Sequence, residues 1–453
     1  MANSQSKPHT LPGMMSLKVE ALTQQLQQFA DQYNIQTWCL AYSGGVDSQV
    51  LLHLLHLTSL KITAVYIDHG LQDASREWAS HCQHQCELLD VPFQVIRVNA
   101  QPEKGESPEA AARTARYDAL EKIIKKNDCL LTAQHLNDQA ETVMLQLLRG
   151  GGAAGVSAMP VMSAFSRGRH CRPLLNVSQQ AILDYAEANH LCWVEDPTNQ
   201  QQNYDRNYLR HSVMPALYER WPASSKTLSI FAQQQAENVQ LLEQLAVIDL
   251  LNIQQSDNSL DITKLVELDD ARLRNAFRYW IKTSKSPMPS RSVLSQIIQQ
   301  MLVDTHDTKA VVSWASVEVR RFKERLYLLN KVQHDASQKL LWDGKNQIEL
   351  ASIDKRIEFK ICQTGNDIDF VLRSDILQMT LSIRFRQGGE RIQPAGRKGH
   401  HDLKSLFQEA SVPVWQRDKI PLLYAGEDLL AVVGYWLAGD FAIKGEGILP
   451  VLN

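Results

Sequence analysis

The first two hundred residues predict an α/β domain, a parallel sheet with helices on both faces, followed by a mostly helical middle domain and a small α+β C-terminal domain. Three observations carry that reading. Short apolar runs alternate with helical periodicities from residue 38 to residue 148. A loop of six residues, SGGVDS at 43–48, joins the first apolar run to a helical pattern. Around residue 215 the texture changes to Gln-rich helical segments, and the last hundred residues alternate between short strands and glycine-marked turns. Strictly alternating β and α patterns argue a parallel sheet covered by helices.

Element by element, residues 38–42 read as a strand and 49–57 as a helix, then 62–67 as a strand and 75–89 as a helix. Residues 93–98 form the third strand. The helix after it opens at Ser107, an N-cap residue type, with Pro108 in the first helical position, where its missing N–H costs nothing. A strand at 129–133 and a helix at 137–148 complete the alternation. In such sheets ligands bind at the carboxyl ends of the strands, so the loops after Tyr42, Ile67 and Ala133 should open onto one crevice. Farther on, 224–246 and 270–283 read as helices, 317–329 as strands and the polar passage 331–354 as a linker. The expected organisation is a loose tail at 1–15, an α/β domain at 16–215, a mostly helical domain at 216–335 and a C-terminal domain at 355–453.

Composition bounds the function. A chain of 453 residues exceeds what one core organises. Its 44% hydrophobic and 21% charged content is that of an ordinary folded protein. No apolar run is long enough to cross a bilayer. Lys and Arg total 47 against 50 Asp and Glu, a net charge of -3, so attraction to nucleic acid must come from local patches. The seven cysteines are scattered with no CxxC pair, which reads as reduced thiols in the cytoplasm. Cys82 and Cys86, four apart on a helical pattern, supply too few ligands for a zinc site.

The loop at 43–48 has the chemistry of an anion cradle. Gly44 and Gly45 allow positive φ and close approach of a phosphate. Ser43 and Ser48 add hydroxyls, Val46 is a spacer, and the following helix directs its free amides and positive dipole end at the same point. Asp47 would repel a phosphate, but it makes sense as a ligand to Mg²⁺ that bridges to phosphate oxygens. The loop lacks the GxxxxGK[ST] spacing, which disfavours γ-phosphate transfer of the P-loop kind.

SGGVDS resembles the signature of the N-type ATP pyrophosphatases (PP-loop, adenine nucleotide alpha-hydrolase-like), which cleave ATP between the α- and β-phosphates and form adenylated intermediates. Further segments are similar to one subgroup, the bacterial tRNA(Ile)-lysidine synthetases. They are Asp68-His69-Gly70-Leu71, the helix bearing Arg113, Arg116 and Tyr117, and the TAQHLNDQAET segment at 132–142. Gly150 to Gly152, Arg172-Pro173-Leu174-Leu175, Glu195-Asp196-Pro197-Thr198-Asn199, Arg206-Asn207 and Arg210 also match, as do 386–391 and 417–422 near the C-terminus. Gln134 departs from the pattern, which has a histidine there.

The resemblance implies ATP bound by residues 43–48 with Asp68 and His69, and Mg²⁺ held by Asp47 and Asp138. It implies catalytic roles for Asp47, Asp138, His135 and Arg113. His135, Asp138 and Glu141, spaced three apart at the start of a helix, share one face near the crevice. The two acids either complete a Mg²⁺ shell, position an incoming amine, or are ordinary helix N-terminal carboxylates. The implied RNA contacts are Arg206, Arg210, Arg386, Arg391, Arg397, Lys398 and Lys404. Residues 384–404 carry six Lys and Arg against two acids, +4 in a chain of -3, and Arg167, Arg169, His170 and Arg172 form a second basic run, followed by Arg272, Arg274 and Arg278 on a helix. Trp415 and Trp436 read as core residues.

The activity this implies is ligation of free L-lysine to C2 of the wobble cytidine in the isoleucine tRNA with a CAU anticodon, through an adenylated cytidine. A tRNA base thiolase of the same superfamily is the alternative. It would need a catalytic cysteine, with Cys129 and Cys171 as candidates, or an iron–sulfur cluster.

Overall fold

Apolar alternation in the sequence becomes a six-stranded sheet in the computed structural model, which describes residues 18–70, 75–101, 108–197, 203–303, 310–331, 334–343, 347–365 and 368–453. The expected tail at 1–15, and Leu71, Ser107, Thr198 and Asn199, lie outside those residues. The chain divides into two units, Met1–Leu242 and Glu243–Asn453, with the expected boundary at 215/216 falling inside the first.

In the first unit the elements are α1 (Val19–Tyr33), β1 (Thr37–Ala41), α2 (Val46–His56), β2 (Ile62–Asp68), α3 (Ser75–Leu88), β3 (Phe93–Arg97), α4 (Pro108–Ile123), β4 (Asp128–Leu131) and α5 (Leu136–Leu148). They continue as α6 (Ala153–Val156), β5 (Met162–Phe165), β6 (Gly168–Cys171), α7 (Gln179–Ala188), α8 (Asp205–Tyr208), a π-helical turn Leu209–Val213 and α9 (Met214–Arg220), and α10 (Ser224–Leu250) runs across the boundary at 242/243. The sheet order is β3-β2-β1-β4-β6-β5. All neighbours are parallel except β5, which pairs antiparallel with β6.

Alternation along β1 sorts the two faces. Trp38 and Leu40 join Leu22 and Leu26 of α1, Leu51 to Leu55 of α2, Cys82 and Cys86 of α3, and Ile182 of α7 in one core. Cys39 and Ala41 face the opposite core with Val65, Ile67 and Leu130, covered by Ala119 and Leu120 of α4 and by Ile124 just after it. From β1 the chain moves to β2 on one side and later returns to β4 on the other. The strand order therefore reverses between β1 and β4, the switch point at which such sheets open a crevice.

The second unit holds a four-stranded antiparallel sheet of Leu260–Asp261, Arg325–Asn330, Val317–Phe322 and Val311–Trp314. Helices Asp270–Thr283 and Arg291–Ile298 share its core through Phe277, Trp280 and Ile297. Two five-stranded sheets follow. The passage 331–354, expected as a linker, supplies strands to both: Lys339–Trp342 pairs with Leu381–Arg384, and Ile348–Leu350 with Lys355–Gln363. Its polarity is the outer face of an edge strand, for Lys339 and Leu341 are exposed while Trp342 is buried. Trp415 meets Phe322 and Tyr327 edge-on, and Trp436 packs on Phe407 and Tyr435, so both tryptophans lie in aromatic clusters.

Candidate active site

The loop after β1 is shaped by one glycine. Gly44 has φ +81°, and a Cβ there would stand 2.8 Å from the Sγ of buried Cys82. Its carbonyl accepts the Val194 N–H at 2.9 Å, so the Glu195-Asp196-Pro197 segment is moored to the loop. Gly45 takes a different role from the one expected. Its φ is −70°, and it is the N-cap of α2, which begins at Val46 rather than near Gln49. With no side chain on the cap, the first-turn amides of α2 face the crevice. Ser48 is buried and knits the turn, its Oγ accepting from the Ser43 N–H at 3.3 Å, lying 3.1 Å from Ser43 Oγ and donating to the Gly45 carbonyl at 3.0 Å.

Asp47, in the first turn of α2, meets the start of α5 across the switch point. His135 is the N-cap of α5, 2% exposed, and forms a capping box with Asp138. Its Nδ1 accepts the Asn137 N–H at 3.2 Å, which leaves the ring proton on Nε2. Nε2 lies 3.7 Å from Asp47 Oδ1 and 3.5 Å from Asp138 Oδ2. Asp138 Oδ2 also accepts the His135 backbone N–H at 3.1 Å. Asp47 Oδ1 is buried with no hydrogen-bond partner among the described residues. Burial holds the Asp47 carboxyl above its ordinary range, His135 and Arg210 pull it back down, and Asp138 and Glu141 push it up.

Arg210, on the π-helical turn, completes the cluster. Its Nε and one terminal nitrogen grip Glu141 at 2.7 and 2.9 Å, and the same terminal nitrogen donates to Asp138 Oδ1 at 2.9 Å. Burial works against this guanidinium, but the hydrogen bond to Glu141 and the charges of Glu141, Asp138 and Asp47 outweigh it and raise its affinity for the proton. Arg206, one turn earlier, donates to Thr142 Oγ1 at 2.9 Å and lies 3.9 Å from Glu141. Both arginines, expected to contact RNA, thus bind the α5 face, and both oxygens of Glu141 are occupied by Arg210. The spacing Arg206-x₃-Arg210 on a helical pattern was the available signal. It did not disclose which acids they meet, because 64 to 72 residues separate the partners.

Asp68 ends β2 with Oδ1 accepting the Gly70 N–H at 3.0 Å and Oδ2 3.8 Å from Arg97. Burial, then the charge of Arg116, lowers His69 to about 4, while Asp68 opposes them, so the ring is neutral near pH 7. Arg113 is exposed on α4, stacked over Tyr117 at 4.9 Å, with His170 and Arg172 as its electrostatic neighbours rather than Asp47 or Asp138. The expected basic run at 167–172 is a β5–β6 hairpin whose His170 and Arg172 are buried, with Arg169 over the Tyr33 ring at 4.5 Å. Only Arg167 of the run is fully exposed.

The basic C-terminal stretch is also quieter in space than in sequence. Arg386 lies against Glu390 and Asp418, Arg391 against Asp402, Arg397 against Glu409 and Arg384 against Glu427. Three of those acids come from outside 384–404, and they reduce its +4 to +1. Lys398 and Lys404 make no ion pair among the described residues. On the helix Asp270–Thr283, Arg272 is held by Asp249 and Arg274 by Asp270, while exposed Arg278 has Arg274 and Arg291 as its charged neighbours.

The thiols lie apart from this chemistry. Cys129 and Cys171 are fully buried, and burial pushes both well up, Cys171 to about 12, so neither is a thiolate near neutral pH. Among the described residues no three His, Cys, Asp or Glu side chains converge to hold a metal unaided.

A glycine loop running into a helix N-terminus at the switch point of a parallel sheet, with acids delivered by the neighbouring strand, defines a PP-loop, ATP-using domain, and residues 18–217 match the family described as "PP-loop domain". Residues 260–327 match "TilS substrate binding domain" and 381–449 match "TilS substrate C-terminal domain". The chain is 42% identical over 414 residues to the tRNA(Ile)-lysidine synthase of Coxiella burnetii, covering 90% of this chain and 91% of that one. It is 38% identical over 428 residues to that of Methylococcus capsulatus, covering 92% and 96%. The chain belongs to the tRNA(Ile)-lysidine synthase family. Among solved structures it resembles a U34-tRNA thiolase from Methanococcus maripaludis at 15% identity and TM-score 0.40, over 48% of this chain and 80% of that one.

Proposed function

We infer that this chain ligates free L-lysine to C2 of the wobble cytidine of the CAU-anticodon isoleucine tRNA, in the cytoplasm, at the expense of ATP. The C2 oxygen of the cytidine attacks the α-phosphorus and pyrophosphate leaves. An amine of lysine then adds at C2, AMP leaves with that oxygen, and the amine loses its proton. The observation that carries this reading is the junction of the 43–48 loop with the His135, Asp138, Glu141 and Arg210 cluster in a chain of this family.

The free first-turn amides of the loop and α2 receive the departing pyrophosphate, where developing negative charge meets fixed donors. Mg²⁺ fits beside them, because Asp47 Oδ1 is a buried carboxylate oxygen without a hydrogen-bond partner among the described residues. Asp47, with Asp138, would hold it, and phosphate oxygens and water would fill the remaining positions. When bound, the metal neutralises charge on the phosphates. His135, a donor at Nε2, keeps the two carboxylates apart and oriented. Asp138, held by Arg210 at Oδ1 and by the His135 backbone N–H at Oδ2, is the acid fixed beside Asp47, where it can position the incoming amine. Asp68 and His69 flank the nucleoside at the end of β2, and neutral His69 adds no charge there. Of the cations expected to contact RNA, Lys398 and Lys404 make no ion pair among the described residues, and with exposed Arg278 they are the side chains offered to RNA phosphates.

The test is pyrophosphate release from ATP with this tRNA and each amino acid in turn. Lysine alone should stimulate turnover, and equal stimulation by other amino acids would refute the assignment. Asp47→Ala should abolish release while tRNA binding persists.

A further inference from the structure

A buried cation sits behind the crevice without a carboxylate partner among the described residues. Arg172 follows β6 and is 8% exposed, and one terminal nitrogen donates to the Pro160 carbonyl at 2.9 Å. The other lies 3.1 Å from His170 Nδ1. A guanidinium has no lone pair to offer, so Nδ1 must accept. The His170 proton then lies on Nε2, 2.7 Å from Thr132 Oγ1, and donates to it. The Thr132 hydroxyl has one proton to give, and it gives it to Gln134 Oε1, its other partner. The charge of Arg172 sets the direction of the first two steps, and the Thr132 proton carries it on to the carboxamide oxygen. The end of the chain is also fixed: the oxygen of the Gln134 carboxamide faces the protein and the nitrogen faces away. That nitrogen has no partner among the described residues, and Gln134 is half-buried at the carboxyl end of β4, beside the strand that carries the 43–48 loop.

We propose that Gln134 is a substrate-binding residue that offers two N–H donors to an acceptor oxygen of the reacting nucleotides, and that Thr132, His170 and Arg172 are positioning residues that hold its amide in this sense. The inference rests on the adenylation reading for the identity of the ligand. An oxygen of the ATP α-phosphate and the C2 oxygen of cytidine have the same chemistry as acceptors. A carboxamide free to flip would present oxygen half the time, so the relay doubles the productive population and excludes repulsion between like lone pairs. It also accounts for a glutamine where the family pattern has a histidine, because an imidazole accepting from Thr132 through one nitrogen donates through the other.

The test uses the full-length protein and two readouts. One is the affinity for a non-hydrolysable ATP analogue without tRNA, and the other is kcat and KM for tRNA in pyrophosphate release. Gln134→Glu keeps the shape and the acceptor toward Thr132 but replaces the donors by oxygen. It should lose roughly ten- to hundredfold in one readout, in analogue affinity if the acceptor is the phosphate and in the tRNA-dependent step alone if it is the cytidine oxygen. Gln134→His should stay within about threefold of the parent. Thr132→Val should cost less than Gln134→Glu in the parent and nothing further in a Gln134→Ala background. Parent-like behaviour of Gln134→Glu in both readouts would overturn the proposal. So would a Thr132→Val loss that adds in full to that of Gln134→Ala, since the relay would then act elsewhere. Gln134 is half-buried, so its variants keep the test decisive if Thr132→Val fails to fold. Absence of lysine-stimulated turnover in the parent would refute the proposed function, while the analogue readout would still decide the phosphate arm.

Discussion

Arg210→Met is the perturbation that most directly separates stability from chemistry in this site. Glu141 is 2% exposed and both its oxygens bond to Arg210, at 2.7 and 2.9 Å, while Asp138 Oδ1 takes a third bond at 2.9 Å. Removing one partner of a buried pair strands the other, at about 3 to 5 kcal/mol. Methionine fills most of the side-chain volume, so lost packing adds little. Glu141→Gln in the same chain removes the stranded charge, and the double variant should recover about 2 kcal/mol of the single variant's deficit, the coupling expected of residues in direct contact. Urea denaturation of the four proteins measures this cycle. Turnover should not follow stability. Asp138 has still lost its Oδ1 donor, and misplacement of a reacting group by about 1 Å costs on the order of a hundredfold. Pyrophosphate release in the double variant should remain lower by about that factor. A single-variant loss below about 1 kcal/mol, or additive losses in the cycle, would refute the account of a buried, charge-coupled triad. Restored turnover in the double variant would refute the positioning of Asp138 by Arg210.

Gly44→Ala places a methyl group 2.8 Å from Cys82 Sγ at φ +81° and should cost more than about 2 kcal/mol together with ATP binding, whereas Gly45→Ala, with φ −70° and its nearest contact at 3.7 Å, should be far milder; thermal melting and nucleotide titration check both. Lys398→Ala with Lys404→Ala should weaken tRNA binding and lower its salt slope by about 2. Arg397→Ala, whose guanidinium already holds Glu409 at 2.7 Å, should change that slope less. Burial, then Arg172 and Arg113, pushes His170 down from 6.5 to about 3. The unfolded chain therefore binds this proton more readily between those values. Stability from neutral His170 is complete above pH 6.5 and falls as the pH drops toward 3, by roughly 2 kcal/mol at pH 5. Urea titrations at pH 5 and 7 should show that loss, and His170→Gln should flatten it.

What the sequence made legible follows the range of each interaction. β1, the loop and α5 could be located because period, caps and glycines act within a few residues, whereas the strand order that reverses between β1 and β4 was not legible, since it depends on which strands pair at long range. Interactions that close over long separations were misjudged. Arg206 and Arg210 looked like free cations because the acids they meet lie on α5. Residues 384–404 looked strongly basic because Glu409, Asp418 and Glu427 fold back onto them from outside the window. The run at 167–172 looked like a solvated basic loop, yet His170 and Arg172 are interior, since a hairpin closing the sheet edge turns alternate residues inward. The error has the same physical origin each time. Charge counted along a chain assumes each side chain keeps its own water, whereas folding replaces that water with whichever partner topology supplies, and a cation neutralised in this way organises the fold around it and contributes less to the local field. The two lysines left unpaired by the C-terminal fold, not the six cations of the stretch, are therefore the side chains on which its electrostatic attraction to RNA should be judged.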